Sequence, residues 1–205
     1  MVPESLEQIG YNVRIITTDD INPETLSNFD AVVVGIRAYN TIENLSFKQQ
    51  QLFDFVVEGG NMIVQYNTSY RLKADNIAPY ILKLSRDRVT DENAEVRFLN
   101  PEHEVLNSPN KITQNDFMGW TQERGLYFPN SWGPELTPIL SMNDKGETPK
   151  EGSLLIAKHG KGHYIYTGLS FFREFPAGVS GAYRLFANML SLGKDDIEQN
   201  QKLND

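Results

Sequence analysis

Ala31-Val32-Val33-Val34-Gly35-Ile36 and Asn61-Met62-Ile63-Val64-Gln65 are the two stretches that decide the fold of this chain. Both are short, apolar and rich in β-branched residues, as are strands that a parallel sheet buries on both faces. Between them, apolar residues recur at helical spacing after Ser46, which can cap a helix, and Gly59-Gly60 can end it. This alternation of strand, helix and strand predicts an α/β fold with a mostly parallel sheet and right-handed crossovers.

The chain before Ala31 predicts a helix followed by one more strand. Pro3 to Gly10 has proline and acidic residues in its first turn and glycine at its end, which is typical of a short helix. Tyr11 to Thr18 is rich in β-branched residues, so we expect it to join 31–36 and 61–65 in the parallel sheet. Doubly wound domains normally open with a strand. Either a first strand lies outside this sequence, or the fold begins with a helix.

Two runs near the C-terminus predict an antiparallel hairpin and a final helix. Ser153 to Lys158 and His163 to Leu169 flank a turn that contains glycine. Ser180 can cap a helix whose apolar residues form one stripe and which ends at Gly193. We therefore expect one α/β domain over residues 1–193, followed by a polar tail over residues 194–205.

The middle of the chain is less regular. Asn76 to Ser85 predicts a helix, and Val89 to Leu99 predicts a strand. Pro101 to Trp132 is rich in asparagine, proline, glycine and aromatic residues, which predicts a long functional loop or an insertion.

The composition argues against several classes of function. A net charge of −8 with scattered Lys and Arg disfavours a nucleic-acid partner, and no apolar stretch is long enough for a membrane span. The absence of cysteine removes disulfides, thiolate metal sites and a cysteine nucleophile. No glycine-rich phosphate loop is present, and His103, His159 and His163 lack the spacing of metal ligands. We therefore expect neither a metal nor a cofactor.

Polar and aromatic residues follow the predicted strands, and ligands of open α/β sheets bind beyond the carboxyl ends of the strands. The segment from Asp116 to Phe128 adds the densest mixture of aromatic and charged groups in the chain. The candidate ligand-binding residues are Arg37, Tyr39, Asn40, Gln65, Tyr66, Asn67, Asp116, Trp120, Gln122, Glu123, Arg124, Arg173 and Glu174. They suit a carbohydrate or another small polar ligand. Alternatively, they fill the edge of the core and pair with one another.

Several runs resemble known families. Gly59 to Asn67 and Gly160 to Leu169 are similar to the class I glutamine amidotransferase-like and trehalose-utilisation (ThuA-like) domains. Val2 to Leu6, Gly119 to Phe128 and Gly181 to Asn188 are more closely similar to the C-terminal domain of large bacterial PIG-L (LmbE-like) N-deacetylases. The resemblance implies a three-layer α/β/α, flavodoxin-like fold, with a strand preceding the first helix.

The same resemblance implies that the partners of this domain are other domains of a parent chain. That parent would be a zinc-dependent N-deacetylase whose zinc-binding motif lies in a separate N-terminal domain. The compartment stays open, and export of the parent protein to the periplasm is one expectation.

Departures from the amidotransferase pattern decide the expected activity. Those enzymes place a cysteine on a strained turn after a central strand and a histidine after a late strand. Here these positions fall at Tyr66 or Asn67 and near Phe171, so the residues exclude glutaminase chemistry. We therefore expect no catalytic residues and an accessory domain that binds a ligand or serves as a scaffold.

Two other functions stay open. The first is a hydrolase of the same fold that uses Glu123, Asp116 or Glu174 as acid or base. The second is a purely structural oligomerisation module, which an exposed apolar patch would favour.

Overall fold

A mixed central sheet organises residues 2–194, the part of the chain that the computed structural model describes. The helices are α1 (Val2–Gln8), α2 (Pro23–Leu26), α3 (Ala38–Thr41), α4 (Gln49–Val57), α5 (Phe171–Glu174) and α6 (Ser180–Ser191). The strands are β1 (Ala31–Val34), β2 (Asn61–Gln65), β3 (Leu82–Val89), β4 (Arg97–Phe98), β5 (Gly125–Trp132), β6 (Thr137–Pro138), β7 (Leu140–Ser141), β8 (Leu154–His159) and β9 (Gly162–Thr167). Short 3-10 helices span Thr18–Asp20, Glu43–Lys48, Glu104–Leu106 and Gln114–Phe117.

The central sheet has the strand order β1-β2-β9-β8-β6. β1, β2 and β9 are parallel neighbours, whereas β8 pairs antiparallel with both β9 and β6 at the other side. In the register of the parallel strands, Val34 lies opposite Val64, and Gln65 lies opposite Thr167. The three parallel strands therefore end at one edge of the sheet, which is where a ligand site is expected. Two separate antiparallel pairs, β3 with β5 and β4 with β7, complete the pairing of these strands.

The sheet separates two apolar cores, because successive side chains of a strand point to opposite faces. In β2, Ile63 belongs to the core that also contains Leu185 and Phe186 of α6. Met62 and Val64 belong to the other core, with Leu52 and Val56 of α4. We call these the α6 core and the α4 core. Helices therefore cover both faces of the sheet, and the prediction of an α/β fold is confirmed.

Most of the predicted regular elements form. β1 and β2 pair in parallel, α4 precedes β2, and the hairpin of β8 and β9 closes at the glycine-containing turn. The final helix runs from Ser180 to Ser191, with Val179 rather than Ser180 as its N-cap. Ser46, which was also expected to cap a helix, instead lies within a 3-10 helix that leads into α4.

The prediction of a strand at Tyr11 to Thr18 is wrong. Residues 11–17 form no regular element, and Thr18 begins a 3-10 helix. The segment has the β-branched residues of a strand, but no neighbouring strand is hydrogen-bonded to it. A strand is defined by such hydrogen bonds to a neighbour rather than by its composition. Only two of the three segments expected to be parallel are therefore strands of the sheet.

The predictions for the middle of the chain are also wrong in part. The segment 76–85 contains no helix, and its second half belongs to β3, which pairs with β5. Of the strand expected over Val89 to Leu99, only β4 forms, apart from Val89 at the end of β3. The 101–132 segment is not a single loop, because β5 occupies its last eight residues. Pairing between segments distant in sequence overrides local preference in each case.

Two expectations concern the ends and the surface of the chain. The predicted polar tail lies outside the described residues, except for Lys194. Within residues 2–194, no helix has the length and apolar character that crossing a membrane requires.

Candidate functional site

The loops that follow β1, β2 and β9 meet at the carboxyl edge of the sheet. The N–H of Arg37, just after β1, donates to the carbonyl oxygen of Tyr66, just after β2, at 2.8 Å. Arg37 has a left-handed backbone with φ of 57°, which turns the chain into α3 and leaves its side chain exposed. We call the surface formed by the following side chains the carboxyl-edge surface: Arg37, Tyr66, Tyr70, Arg86, Glu123, Tyr127, Phe172 and Arg173.

Four aromatic rings form the centre of this surface. Tyr66 stacks on Tyr127 with ring centroids 5.9 Å apart and planes 13° from parallel. Phe172 packs against Tyr66 at 5.4 Å, and Tyr70 meets Tyr127 edge-on at 6.3 Å. Tyr66 is buried, Tyr127 and Phe172 are half-buried, and Tyr70 is 45% exposed. The stack therefore runs from the end of the sheet out to solvent.

Arginine side chains flank the rings. The guanidinium of Arg173 lies 4.8 Å from the centroid of the Phe172 ring, and that of Arg86 lies 5.7 Å from the Tyr70 ring. Arg173 Nε also donates to Glu123 Oε1 at 2.9 Å. These contacts hold the charged groups beside the aromatic faces without burying them, because the Arg173 side chain remains 36% exposed.

The phenol of Tyr66 lies within the field of these charges. Burial raises the pKa of Tyr66, the neighbouring Arg37 and Arg173 lower it, and Glu123 raises it. The pKa of Tyr127 is also raised, chiefly by its hydrogen bond with Tyr70 and by burial. Both phenols therefore stay protonated at neutral pH, so that each hydroxyl can donate as well as accept a hydrogen bond.

Asparagine side chains fix the loops beneath this surface. Asn67 Oδ1 accepts from the backbone N–H of Tyr39 at 2.9 Å, and its Nδ2 donates to the Gln65 carbonyl at 2.9 Å. Asn40 Oδ1 accepts from the N–H of Thr68 at 2.9 Å, and its Nδ2 donates to the Tyr70 carbonyl at 3.1 Å. Both side chains are buried, so they position the surface rather than contact a ligand.

Tyr39 and Gln65 are buried as well. Tyr39 has no exposed surface, and burial raises its pKa to about 12, partly offset by Gln49. Gln65 is the last residue of β2 and is 3% exposed. Neither side chain reaches the carboxyl-edge surface.

A second set of predicted site residues lies in the α6 core and its margin. The Arg124 guanidinium donates to the Ala94 carbonyl oxygen from Nε at 3.1 Å and from Nη2 at 2.8 Å, and to the Phe117 carbonyl oxygen from Nη1. It lies 5.7 Å from the Trp120 ring centroid. Trp120 is 3% exposed, and its Nε1 donates to the Asp116 carbonyl at 3.0 Å. Trp120 therefore offers no free face on which a sugar ring could stack.

The two carboxylates nearby are also engaged within the protein. Glu174 Oε2 accepts from the N–H of Thr121 at 2.9 Å, and Oε1 accepts from Ser170 Oγ at 3.1 Å. Burial raises the pKa of Glu174, which is fully buried. Asp116 accepts from Arg184 Nε at 2.8 Å and from the Thr113 N–H at 2.7 Å. Glu174 thus ties the loop at Thr121 to α5, and Asp116 ties its own 3-10 helix to α6.

The predicted residues thus separate into distinct groups. Arg37, Tyr66, Glu123 and Arg173 come together at the carboxyl-edge surface, with exposed Gln122 next to Glu123 in the chain. The residues Asp116, Trp120, Arg124 and Glu174 do not join them.

Four members of the surface, Tyr70, Arg86, Tyr127 and Phe172, were not among the predicted site residues. Arg86 lies in β3, directly after the segment for which a helix was expected, so it was not placed near the sheet edge. The alternation Leu82-Lys83-Leu84 is the signal that could have identified this strand. Within residues 2–194, no group of three or more His, Asp or Glu side chains is arranged to hold a metal ion.

Comparisons with known proteins reveal similarity of fold. No family model and no curated protein matches the sequence. The cytoplasmic protein STM3548 of Salmonella typhimurium superimposes with a TM-score of 0.60 and 14% identity, over 92% of this chain and 83% of that one. The cytoplasmic protein STM1381 of Salmonella typhimurium LT2 gives a TM-score of 0.57 and 13% identity, over 91% and 83%. A cold-adapted β-galactosidase of Rahnella sp. R3 gives 0.52 and 15%, over 90% of this chain and 26% of the enzyme.

Proposed function

We propose that this chain is a noncatalytic accessory domain of flavodoxin-like, three-layer architecture whose carboxyl-edge surface binds a carbohydrate. The observation that carries the proposal is the stack of Tyr66, Tyr127 and Phe172, which leads out to the exposed ring of Tyr70. Sugar rings present apolar C–H faces to aromatic rings and hydroxyl groups to polar side chains. A surface that combines both kinds of group suits such a ligand.

The charges of this surface favour an acidic sugar. The surface carries three guanidinium groups, those of Arg37, Arg86 and Arg173, and one carboxylate, that of Glu123, which pairs with Arg173. Its side chains are therefore mainly cationic, although the chain as a whole has a net charge of −8. A guanidinium binds a carboxylate through two parallel hydrogen bonds. Arg37 has an exposed side chain and is therefore the group best placed to bind the carboxylate of a uronic acid.

The position of the acidic residues supports a noncatalytic role. Asp116 and Glu174 accept hydrogen bonds from protein groups and are 9% and 0% exposed. Asn67, at the turn where amidotransferases place their cysteine, uses its amide to hold Tyr39 and Gln65. Of the three acidic residues considered for a hydrolase, only Glu123 belongs to the carboxyl-edge surface, and it pairs with Arg173. Glycoside hydrolysis ordinarily uses a pair of carboxyl groups, and Glu123 alone supplies one.

The wider assignment rests on the resemblance of the sequence to domains appended to LmbE-like N-deacetylases. On that reading the chain positions a polysaccharide for a deacetylase domain in the same polypeptide. The fold can form a minor part of a large chain, since its counterpart covers 26% of the Rahnella β-galactosidase. A domain of this fold can thus occur as one part of a larger protein, which is compatible with an accessory role.

Titration of the chain with glucuronate and galacturonate oligosaccharides, followed by NMR, tests the binding proposal. We expect shifts in the residues of the carboxyl-edge surface and a loss of affinity of about tenfold or more in Arg37→Ala and Tyr70→Ala, roughly the contribution of one charge-assisted or stacking contact. Arg14→Ala, at an exposed arginine outside this surface, is the matched control and should bind normally. Binding that is unchanged in both variants would contradict the proposal.

Hydrolysis distinguishes the alternative function. If the chain is an acid–base hydrolase, it releases product from the same oligosaccharides and Glu123→Gln abolishes that release. We expect no release from the wild-type chain, and Glu123→Gln should leave oligosaccharide binding within a few fold of wild type.

A further inference from the structure

The outer edge of the central sheet at β1 is unpaired. β1 pairs with β2 on one side and is the terminal strand in the order β1-β2-β9-β8-β6. In a parallel pair, every second residue turns its N–H and C=O groups away from the neighbour. Among residues 2–194, no hydrogen bond joins β1 to a chain segment on that outer side. The edge therefore presents free backbone groups.

A second extended segment lies near this edge without pairing. Residues 12–16 form no backbone hydrogen bond within the described part of the chain. Two of their side chains nevertheless reach opposite cores, whereas Asn12, Arg14 and Ile15 are exposed. Val13 packs against the α6 core, as Val33 of β1 does, whereas Ile16 packs against the α4 core, as Val32 does. The segment thus continues the sheet between the two cores, although it makes none of the hydrogen bonds of a strand.

An apolar groove separates the two segments. Its volume is about 380 Å³, and its lining includes Ile16–Thr18, Val32–Gly35, Leu45 and Leu52. The lining of the groove therefore combines the unpaired backbone of β1, the end of the unpaired 12–16 segment at Ile16, and apolar side chains. A single extended chain would satisfy the backbone groups of both edges at once.

We propose that this groove is a slot for one added β-strand: an extended, β-branched peptide segment from outside residues 2–194, inserted between β1 and residues 12–16. Insertion would bury apolar surface against both cores and complete a sheet that is now interrupted at this point. The mode of recognition is strand addition, in which backbone hydrogen bonds supply affinity and alternate side chains supply specificity. No residue of the carboxyl-edge surface lines the slot, so the proposal does not depend on carbohydrate binding.

Other occupants fit the slot less well. A carbohydrate is disfavoured because the lining side chains are mostly apolar. A second copy is disfavoured because an inserted strand needs both of its edges free, and each of the nine strands of the described residues already pairs along at least one edge. Residues 195–205 are rich in Asp, Glu, Asn and Gln, which is unsuitable for a strand buried between two cores.

Hydrogen exchange of the full chain with a synthetic peptide tests the proposal. The probe has a short core of valine and isoleucine flanked by lysines, and its control has a proline at the centre of the core, which removes a donor and interrupts pairing. We expect the probe to protect residues 12–16 and 31–34 together and to raise the melting temperature, and the control to do neither. If neither segment gains protection, even when the probe is fused ahead of Val2 through a flexible linker to reach roughly millimolar effective concentration, the proposal is overturned.

Two further measurements address the site and the occupant. Ile16→Lys places a charge in the slot and should weaken probe binding at least tenfold, whereas Ile9→Lys, at a residue that is 47% exposed in the loop after α1, should have no effect. Equal binding by both variants would contradict the assigned position.

Sedimentation of the chain alone tests the occupant and should give a monomer. A dimer that the probe dissociates would assign the slot to a second copy and overturn the proposed occupant.

Discussion

At the scale of single residues, Arg124 shows how a charged group can serve the fold rather than the function. Its guanidinium is 5% exposed and donates to the carbonyl oxygens of Ala94 and Phe117. Burial lowers its pKa, although Glu174, Asp91 and Glu92 raise it. Backbone carbonyl groups of two loops depend on this one side chain for their hydrogen bonds. The residue thus closes the segment before β5 over the α6 core.

We predict that Arg124→Met destabilises the protein by about 3 kcal/mol, because it leaves buried carbonyl groups without donors. Urea denaturation monitored by Trp fluorescence measures the change, since Trp120 packs beside Arg124. Arg37→Met is the control: Arg37 is exposed, and its replacement should change stability by less than about 0.5 kcal/mol. Equal losses in the two variants would show that Arg124 is not a structural anchor.

At the scale of elements, the contact between α6 and the Gln114–Phe117 helix depends on a glycine. A Cβ atom at Gly181 would lie 1.9 Å from the carbonyl oxygen of Asp116. The same two elements are joined by the Arg184 to Asp116 ion pair, with Nε and Oδ1 2.8 Å apart. Glycine at 181 therefore permits a backbone approach that brings the two charged groups together.

We predict that Gly181→Ala lowers the free energy of unfolding by about 2 kcal/mol, because overpacking at backbone outweighs the gain of up to about 1 kcal/mol in helix propensity. The melting temperature and the urea midpoint measure this loss. Gly35→Ala is a suitable control, since no atom beyond its two chain neighbours lies within 4 Å of the added Cβ. A Gly181→Ala variant as stable as wild type would mean that α6 can shift away at little cost.

Elements that depend on local pattern were the ones predictable from sequence. The apolar runs of β1 and β2, the apolar stripe of α6 and the glycine turn between β8 and β9 all form as expected. β3 was missed, because beyond the alternation at residues 82–84 it carries polar residues such as Arg86 and Asp87, and its pairing partner β5 lies about 40 residues away. Long-range pairing decided that element.

At the scale of the whole molecule, the junction of the sheet with the end of α6 is sensitive to acid. His163 of β9 lies 3.3 Å from Asn61 of β2, measured from Nδ1 to Oδ1, and Asn61 Nδ2 donates to the carbonyls of Leu190 and Leu192. Burial lowers the pKa of His163 to about 4, with contributions from Lys158, His103 and Lys194. Protonation of His163 is therefore unfavourable in the folded state.

We predict that the protein loses about 2 kcal/mol of stability through His163 between pH 7 and pH 5. The pKa of His163 is 6.5 in the unfolded chain and about 4 in the folded protein. As the pH falls from 7 to 5, the unfolded state therefore binds a proton at His163 before the folded state does, and the stability of the protein decreases. Urea denaturation at both pH values measures the loss. His163→Gln should reduce it, leaving the smaller contribution of His103, whose pKa burial also lowers. A loss that is the same in wild type and His163→Gln would contradict the assignment.

The candidate site was predictable only in part. Sequence order placed Arg37, Tyr66 and Arg173 after strands, and parallel strands bring such residues to one edge. It also suggested Trp120 and Glu174, which lie in the core. An aromatic or charged residue in a loop has the same local pattern whether it faces solvent or the core, so only the packing of that loop distinguishes the two.

By itself, the sequence determined the α/β class, the parallel pairing of β1 with β2 and the edge of the sheet at which polar groups gather. These follow from periodicity and chain order, which are local properties. Tertiary structure alone decided that residues 11–17 stay unpaired beside β1, that Tyr70 and Arg86 join the aromatic stack, and that Arg124 and Trp120 are buried. The physical reason is that strand pairing and side-chain burial depend on neighbours brought together by folding, whose identity no local stretch of sequence contains.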